Sequence, residues 1–367
     1  MNMPIGKFRA AQHAQGLSLI ELMIAIALGM VVVGAVLAIF INVTRTNNEM
    51  AKMNRQIENG RFAVQLLNDD IVHAGYLADF IPQFEDRNVS APGDAPTAFP
   101  NPCKDPVTWN AADRSNFIGI PVQSDLGTCT VATSQQADTD VLVVRHAEPS
   151  TGTVCGVGEV CFQASQCNAE ISATPTQNYI LATSGHTLHK KDCTPAVVPI
   201  AAGGIAVTRK FISNLYYVRD FSVTAGDGIP TLMRSEFTGG VHLAAQPLIE
   251  GIEGFRVEYG IDSVGKNGAA VSYAGAVNHG DGIPDGNFIK AADLTCTSAA
   301  ACDAANVVAV RVHVLARSSE ATQGYTDTKT YVMGSAGTMG PFNDGFKRHV
   351  FTTTVRLVNP SGRREVP

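Results

Sequence analysis

The spacing of apolar and polar positions divides the chain into three stretches. Up to about residue 75 the period is helical, and beyond residue 210 it is mostly the two-residue period of strands. Between them no period holds for long. Leu22 to Ile41 is a run of 20 residues without a charge, about 30 Å as a helix and enough to cross a bilayer. From Asn42 to Ala74 there is no proline, and Gly60 alone interrupts the pattern. Met50, Met53, Ile57, Val64, Leu67 and Ile71 recur every three or four residues and predict one apolar face. Arg45, Lys52, Arg55, Glu58, Arg61 and Asp69 populate the remaining surface, and Gly75 reads as the stop. Leu17 to Ala74 is therefore expected as one helix of 58 residues, roughly 87 Å long.

The C-terminal stretch reads as strands. Ser213–Asp220, Thr231–Phe237, Ile252–Asp262, Val307–Arg317 and Arg348–Val358 are candidates. In Ile252–Asp262, Phe255, Val257, Tyr259 and Ile261 alternate with Arg256 and Glu258. In Val307–Arg317, four valines stand opposite Arg311 and His313. Gly-rich connections at this spacing predict an antiparallel sheet, which buries its apolar face on the amphipathic half of the helix. The expected class is α+β. Residues 77–210 are rich in Pro, Asn, Asp and Ala and read as a Cys-rich loop and strand insertion. Two short strands are expected within it, Asp140–His146 and Tyr179–Thr183.

Composition narrows the picture. With 45% hydrophobic and 16% charged residues, the chain is no disordered tail, and one long apolar run excludes a multi-span membrane protein. The net charge of −6 gives no basic footprint for nucleic acid; Lys190, Lys191, Arg363 and Arg364 are too sparse to make one. Eight cysteines without a CxxC pair favour disulfides in an oxidising compartment. Cys296 and Cys302 enclose a short loop and are an expected pair. The other six leave many connectivities open; sequence neighbours favour Cys103–Cys129, Cys155–Cys161 and Cys167–Cys193. Lys7 and Arg9 precede the apolar run, so the N-terminus is expected in the cytoplasm and the body outside, in agreement with the cysteines.

No HExxH, GxSxG or Walker A pattern occurs, so no enzyme and no cofactor are expected. His186 and His189 beside Cys193 read as loop residues. Asn278 to Asp285 resembles the end of a calcium loop, with Asp281 and Asp285 as weak candidate ligands, but lacks further alternating carboxylates. A Gly/Asp turn is the default reading there.

Glu21 breaks the apolar pattern one turn into the helix. A helix N-terminus favours an acid, so an interfacial Glu is one reading. The apolar run is too long for a secretory signal peptide, and no small-x-small site follows it. Instead Gly16 and a basic leader stand before it. Gly16-Leu17-Ser18-Leu19-Ile20-Glu21 resembles the type III signal of type IV prepilins and pseudopilins, with Leu17 where Phe is commoner. The resemblance implies cleavage by a prepilin peptidase between Gly16 and Leu17 and N-methylation of Leu17. The freed ammonium needs an anion among packed helices, and Glu21 of the same or a neighbouring chain would supply it. At about 4 Å and an effective dielectric near 20 such a pair attracts by roughly 4 kcal/mol. Glu21 would thereby set helix register.

A narrower resemblance, to the PilW family of minor pilins, rests on the order of several short motifs. These are Asn59-Gly60-Arg61-Phe62-Ala63, Asp70-Ile71, Ala74-Gly75-Tyr76, the Tyr216-Tyr217-Val218 strand and Pro230 to Arg234. Leu248 to Glu253, Tyr259 to Asp262, and Val307 to Val312 with Ala316-Arg317-Ser318 follow. It covers residues 16–76 and about 211–358. The expected organisation is a leader at 1–16, a transmembrane and filament-core helix at 17–41, an amphipathic helical half at 42–76, the insertion at 77–210 and the sheet body at 211–367. The resemblance implies a single-pass inner-membrane protein that reaches the pilus and helps initiate type IV pilus assembly near the fibre tip. Implied partners are other minor pilins, the major pilin, a PilY-type tip adhesin, the prepilin peptidase and the inner-membrane assembly platform. Alternatives are a J-type minor pseudopilin of type II secretion and a tip adhesin acting through 77–210.

Overall fold

The computed structural model describes residues 16, 18–89, 92–150, 155–173, 178–193, 204–273 and 278–365. The leader residues 1–15 and Leu17 lie outside the described residues. The chain divides into two compact units, one ending at Ala51 and one beginning at Lys52. Helix α1 (Leu19–His73) supplies nearly all of the described first unit and opens the second. Its apolar residues from Leu22 to Ile41 are all exposed.

In the second unit, eight strands among the described residues form one antiparallel sheet. They are β1 (Val122–Gln123), β2 (Leu142–Ala147), β3 (Cys161–Ala164), β4 (Tyr179–Ala182), β5 (Thr208–Arg219), β6 (Thr231–Thr238), β7 (Val241–His242) and β8 (Gln246–Glu250). β5 is the hub: its first residues pair with β3, its later ones with β2, and its second half also with β6. A second antiparallel sheet runs in the order β10 (Ile289–Lys290), β9 (Ile252–Ile261), β13 (Val307–Arg317) and β16 (Arg348–Arg356). Two small hairpins complete the strands, β11 (Cys296–Ser298) with β12 (Ala301–Cys302), and β14 (Tyr331–Val332) with β15 (Thr338–Met339).

The main core lies among α1 and the two sheets. Ala63, Leu67 and Ile71 of α1 join Leu142, Val144, Tyr216 and Val218 of the first sheet and Phe255, Val257, Val310, Val312 and Val314 of the second. The buried stripe differs from the one the periodicity predicts. It runs Gln56, Gly60, Ala63, Leu67, Ile71, while Met50, Met53 and Ile57 are exposed. The reason is close approach. Gly60 has no side chain, and the Phe351 ring of β16 lies against its backbone. Gln56 Nε2 donates to Ala316 O at 2.8 Å, so a polar residue is buried with a partner where a methionine would have none to offer.

Helix α1 stops where Gly75 takes φ +71°, a conformation that glycine adopts without cost. The strand expected to run to Val358 ends at Arg356, and a short C-terminal helix, α4 (Val358–Arg364), follows it. Its Asn359 Nδ2 donates to Ala74 O at 3.2 Å, and Arg363 Nη1 donates to Gly75 O at 3.0 Å, so orphan carbonyls at the end of α1 find partners.

The stretch 77–210 is part of the sheet. Four of its strands, β1 to β4, lie in the eight-stranded sheet, and a boundary at 210/211 cuts β5. It also holds two helices the periodicity does not show, α2 (Ala111–Gly119) and α3 (Asn168–Ala173). α2 begins with a capping box in which Asn110 Oδ1 accepts from Asp113 N–H and Asp113 accepts from Asn110 N–H. Asn110-x-x-Asp113 is a signal in the sequence, masked by the proline-rich surroundings.

Candidate functional site: the N-terminal processing and assembly segment

Gly16 is exposed, with open space around its backbone. Two residues later Ser18 caps α1. Glu21 N–H donates to Ser18 Oγ at 3.2 Å, and Ser18 N–H donates to Glu21 Oε2 at 2.9 Å. The pair is a capping box read directly from Ser-x-x-Glu, a signal that the reading of Glu21 as a lone charge overlooks. Its geometry bears on chemistry at the preceding residue. A carboxylate oxygen bonded to the backbone nitrogen of residue 18 stands one residue from the nitrogen that cleavage would free at Leu17. The candidate cleavage and methylation position Leu17 itself lies outside the described residues.

C-terminal to this cap, α1 is the one helix among the described residues that is long and apolar enough to cross a membrane, and its apolar stretch is nowhere buried. A large exposed apolar surface of this kind marks a site of contact with a membrane or another protein.

In the second unit the eight cysteines form four disulfides: Cys103–Cys129, Cys155–Cys161, Cys167–Cys193 and Cys296–Cys302. Two of them close loops with a sequence separation of 26, the other two of 6. Asp281 and Asp285, the candidate calcium ligands, are engaged elsewhere. Asp285 Oδ2 accepts from Ser263 N–H and Val264 N–H at 2.8 and 2.7 Å, and Asp281 Oδ1 accepts from Ile283 N–H at 3.0 Å. Among the described residues no group of three His, Cys, Asp or Glu is placed to hold a metal ion.

The body also presents an open groove of about 590 Å³ bordered by Phe62, Leu66, His73, Ile212 and Arg234. Asp70 stands at its floor. It accepts from Tyr216 OH at 2.9 Å and from Asn214 Nδ2 at 3.1 Å, and it faces His146 Nε2 at 3.2 Å. His146 Nδ1 donates to Ala147 O at 2.9 Å. Burial disfavours the imidazolium, but the Asp70 hydrogen bond and charge and the Ala147 carbonyl outweigh it, so the pKa of His146 is raised. These groups hold α1 onto β2 and β5.

The chain resembles known proteins in two separate regions. Residues 215–359 match the family described as Type IV Pilus-assembly protein W. Residues 12–37 match the prokaryotic N-terminal methylation motif. No curated protein matches the chain. Among solved structures, the type IV-like pilin TTHA1219 from Thermus thermophilus is similar at 15% identity and a TM-score of 0.27. The match covers 62% of this chain and 82% of that one. A methylation motif leading into an exposed apolar helix, and a PilW match over the strands from β5 to β16, make the chain similar in these two regions to type IV pilus proteins of the PilW family.

Proposed function

We propose that the protein is a minor pilin that helps initiate type IV pilus assembly, within a minor-pilin complex near the fibre tip. The carrying observation is that the two matched regions sit at opposite ends of one chain: a methylation motif with Gly16 and Glu21, and a PilW match over the sheets. In this reading the prepilin peptidase cuts after Gly16, Leu17 is methylated, and Glu21 neutralises the new ammonium. The residues from Leu17 to Ile41 hold the protein in the inner membrane before assembly, with the body periplasmic, and then pack among other pilin helices. The Ser18–Glu21 cap supports this, since it already directs the carboxylate back toward the preceding backbone. Partners are the other minor pilins, the major pilin, the assembly platform and a PilY-type tip adhesin. The work is templating, with no reaction catalysed. A second unit of this bulk would obstruct repeated stacking along a thin fibre, which favours low copy number.

Deleting the gene and measuring surface pili and type II secreted proteins in parallel tests the reading. Loss of pili with normal secretion is expected, restored by the wild-type gene and far less by Glu21→Val. Intact piliation with lost secretion would overturn it in favour of a pseudopilin.

A further inference from the structure

Three arginines of the second unit are buried almost completely, and two of them are paired. Arg348 meets Asp327 and Asp344 at 2.9 and 2.6 Å, and also Glu253. Arg364 meets Asp262 at 3.4 Å and Glu85 at 3.7 Å. Arg145, on β2, is 1% exposed and has no carboxylate partner among the described residues. None of the residues outside the described set is Asp or Glu, so the chain holds no further acidic side chain to supply one.

The guanidinium is used on one side only. Nη1 donates to Ile120 O and to Gln123 Oε1, both at 2.9 Å, and the Phe117 ring centroid lies 5.2 Å from the guanidinium carbon. Nε and Nη2 are buried without a partner among the described residues. Those two nitrogens form the side-on fork of the guanidinium, the edge that binds a chloride or a planar oxyanion through two parallel N–H groups. Directly across the strand pair, in register with Arg145 on β5, stands Ser213. It is 2% exposed, and its Oγ is also without a partner.

Among the described residues no neighbouring group compensates the charge. His242 is pushed down to about 4 by burial and by the charge of Arg145, so it is neutral at neutral pH. Its Nδ1 must donate to Ser235 Oγ, because that hydroxyl gives its own proton to Leu243 O at 2.6 Å. Nε2 therefore offers a lone pair, which suits a water and repels an anion. The Tyr259 phenol is held protonated by burial and hydrogen-bonds Ser124 Oγ at 2.7 Å. Burial pushes Arg145 itself down to about 9, which still leaves it a cation at neutral pH. An isolated buried cation is strongly unfavourable, and uncompensated buried donors add to the cost.

We propose that the Nε/Nη2 edge of Arg145, with Ser213 Oγ as a further donor, is a binding site for one small monovalent anion, a halide or a planar oxyanion such as nitrate. The anion is a structural counter-ion that fixes β2 to β5 beneath the cover of α2. One elementary charge is needed to neutralise one guanidinium, and burial leaves no solvent to share a second.

The test uses the full chain in detergent, exchanged into gluconate, whose bulk keeps it out of a buried site. Bromide, chloride or nitrate is titrated in at constant ionic strength while thermal unfolding is followed. A saturable rise in melting temperature is expected, with a bromide anomalous peak beside Arg145 in crystals grown from the same solution. Arg145→Met should abolish the saturable part. Should that variant fail to fold, Ser213→Ala keeps the cation and is expected to raise the half-saturating concentration several-fold. The proposal is overturned if wild type shows no saturable dependence, if Ser213→Ala leaves the titration unchanged, or if a water alone occupies the Arg145 edge in the bromide crystals.

Discussion

The missing side chain at position 60 sets how the body meets α1. A Cβ built there would clash with the edge of the Phe351 ring, so even Ala requires the ring to move. Two effects oppose each other in Gly60→Ala. Helix propensity favours Ala by about 1 kcal/mol. Overpacking a tight contact costs about 1–3 kcal/mol. The contact is expected to win, lowering stability in thermal or denaturant unfolding, and Gly60→Val should lose more. In a Phe351→Leu background the clash is relieved, and Gly60→Ala should become neutral or stabilising. A double-mutant cycle that found the two substitutions additive would remove this account. The sequence shows Gly60 as an interruption, because periodicity scores side chains and a backbone contact has none to score. For the same reason Met50, Met53 and Ile57 read as core although the structure exposes them. Glu21 is a similar case in the opposite sense. Its charge is conspicuous in the sequence, while Ser18, whose hydroxyl completes the cap, is not.

At the scale of elements, long periodic segments are legible and short capped ones are not. Val307–Arg317 has the predicted limits, and α1 ends within one residue of the expected stop, because many residues agree on one period. α2 is specified by two capping side chains and has nine residues, too few for a period to dominate the prolines around it. The strands within 77–210 are short, and their pairing with β5 is a long-range fact that no local pattern carries. What joins these elements to α1 includes a titrating contact, His146 on β2 with Asp70 on α1. The His146 pKa is raised in the folded state, so its contribution to stability is fully present below the unfolded value near 6.5. It is lost as pH rises through the folded pKa. Asp70→Asn removes the anion while keeping an acceptor for Tyr216. The difference in melting temperature between wild type and Asp70→Asn is therefore expected to be largest near pH 5.5–6 and to shrink toward pH 8.5. A difference that grew with pH would show that another group governs the contact.

At the scale of the whole chain, the two units answer to different surroundings, and their sequences say so. The run Leu22–Ile41 has no polar alternation and is exposed all round, the pattern of a helix suited to apolar surroundings on every side. The described core of the second unit begins on α1 at Gln56, and no residue from Leu22 to Ile41 is among its buried members. Stability of the body should then depend on where a truncated chain starts relative to that residue. A chain beginning at Asn48 keeps the Gln56–Ala316 hydrogen bond, the Gly60–Phe351 contact and buried Ala63. It is expected to be soluble without detergent and to unfold within a few degrees of the detergent-solubilised full chain. A chain beginning at Gln65 loses all three and strips cover from Phe351 and the ends of β13 and β16. By the usual scale of core and buried-polar losses that is about 3–6 kcal/mol, a large share of the stability of a typical domain. Its melting temperature should fall by ten degrees or more, or the chain should aggregate. Equal melting of the two truncated chains would show that the helix contributes nothing to the body before Gln65, and the stripe from Gln56 to Ala63 would then be contact without consequence.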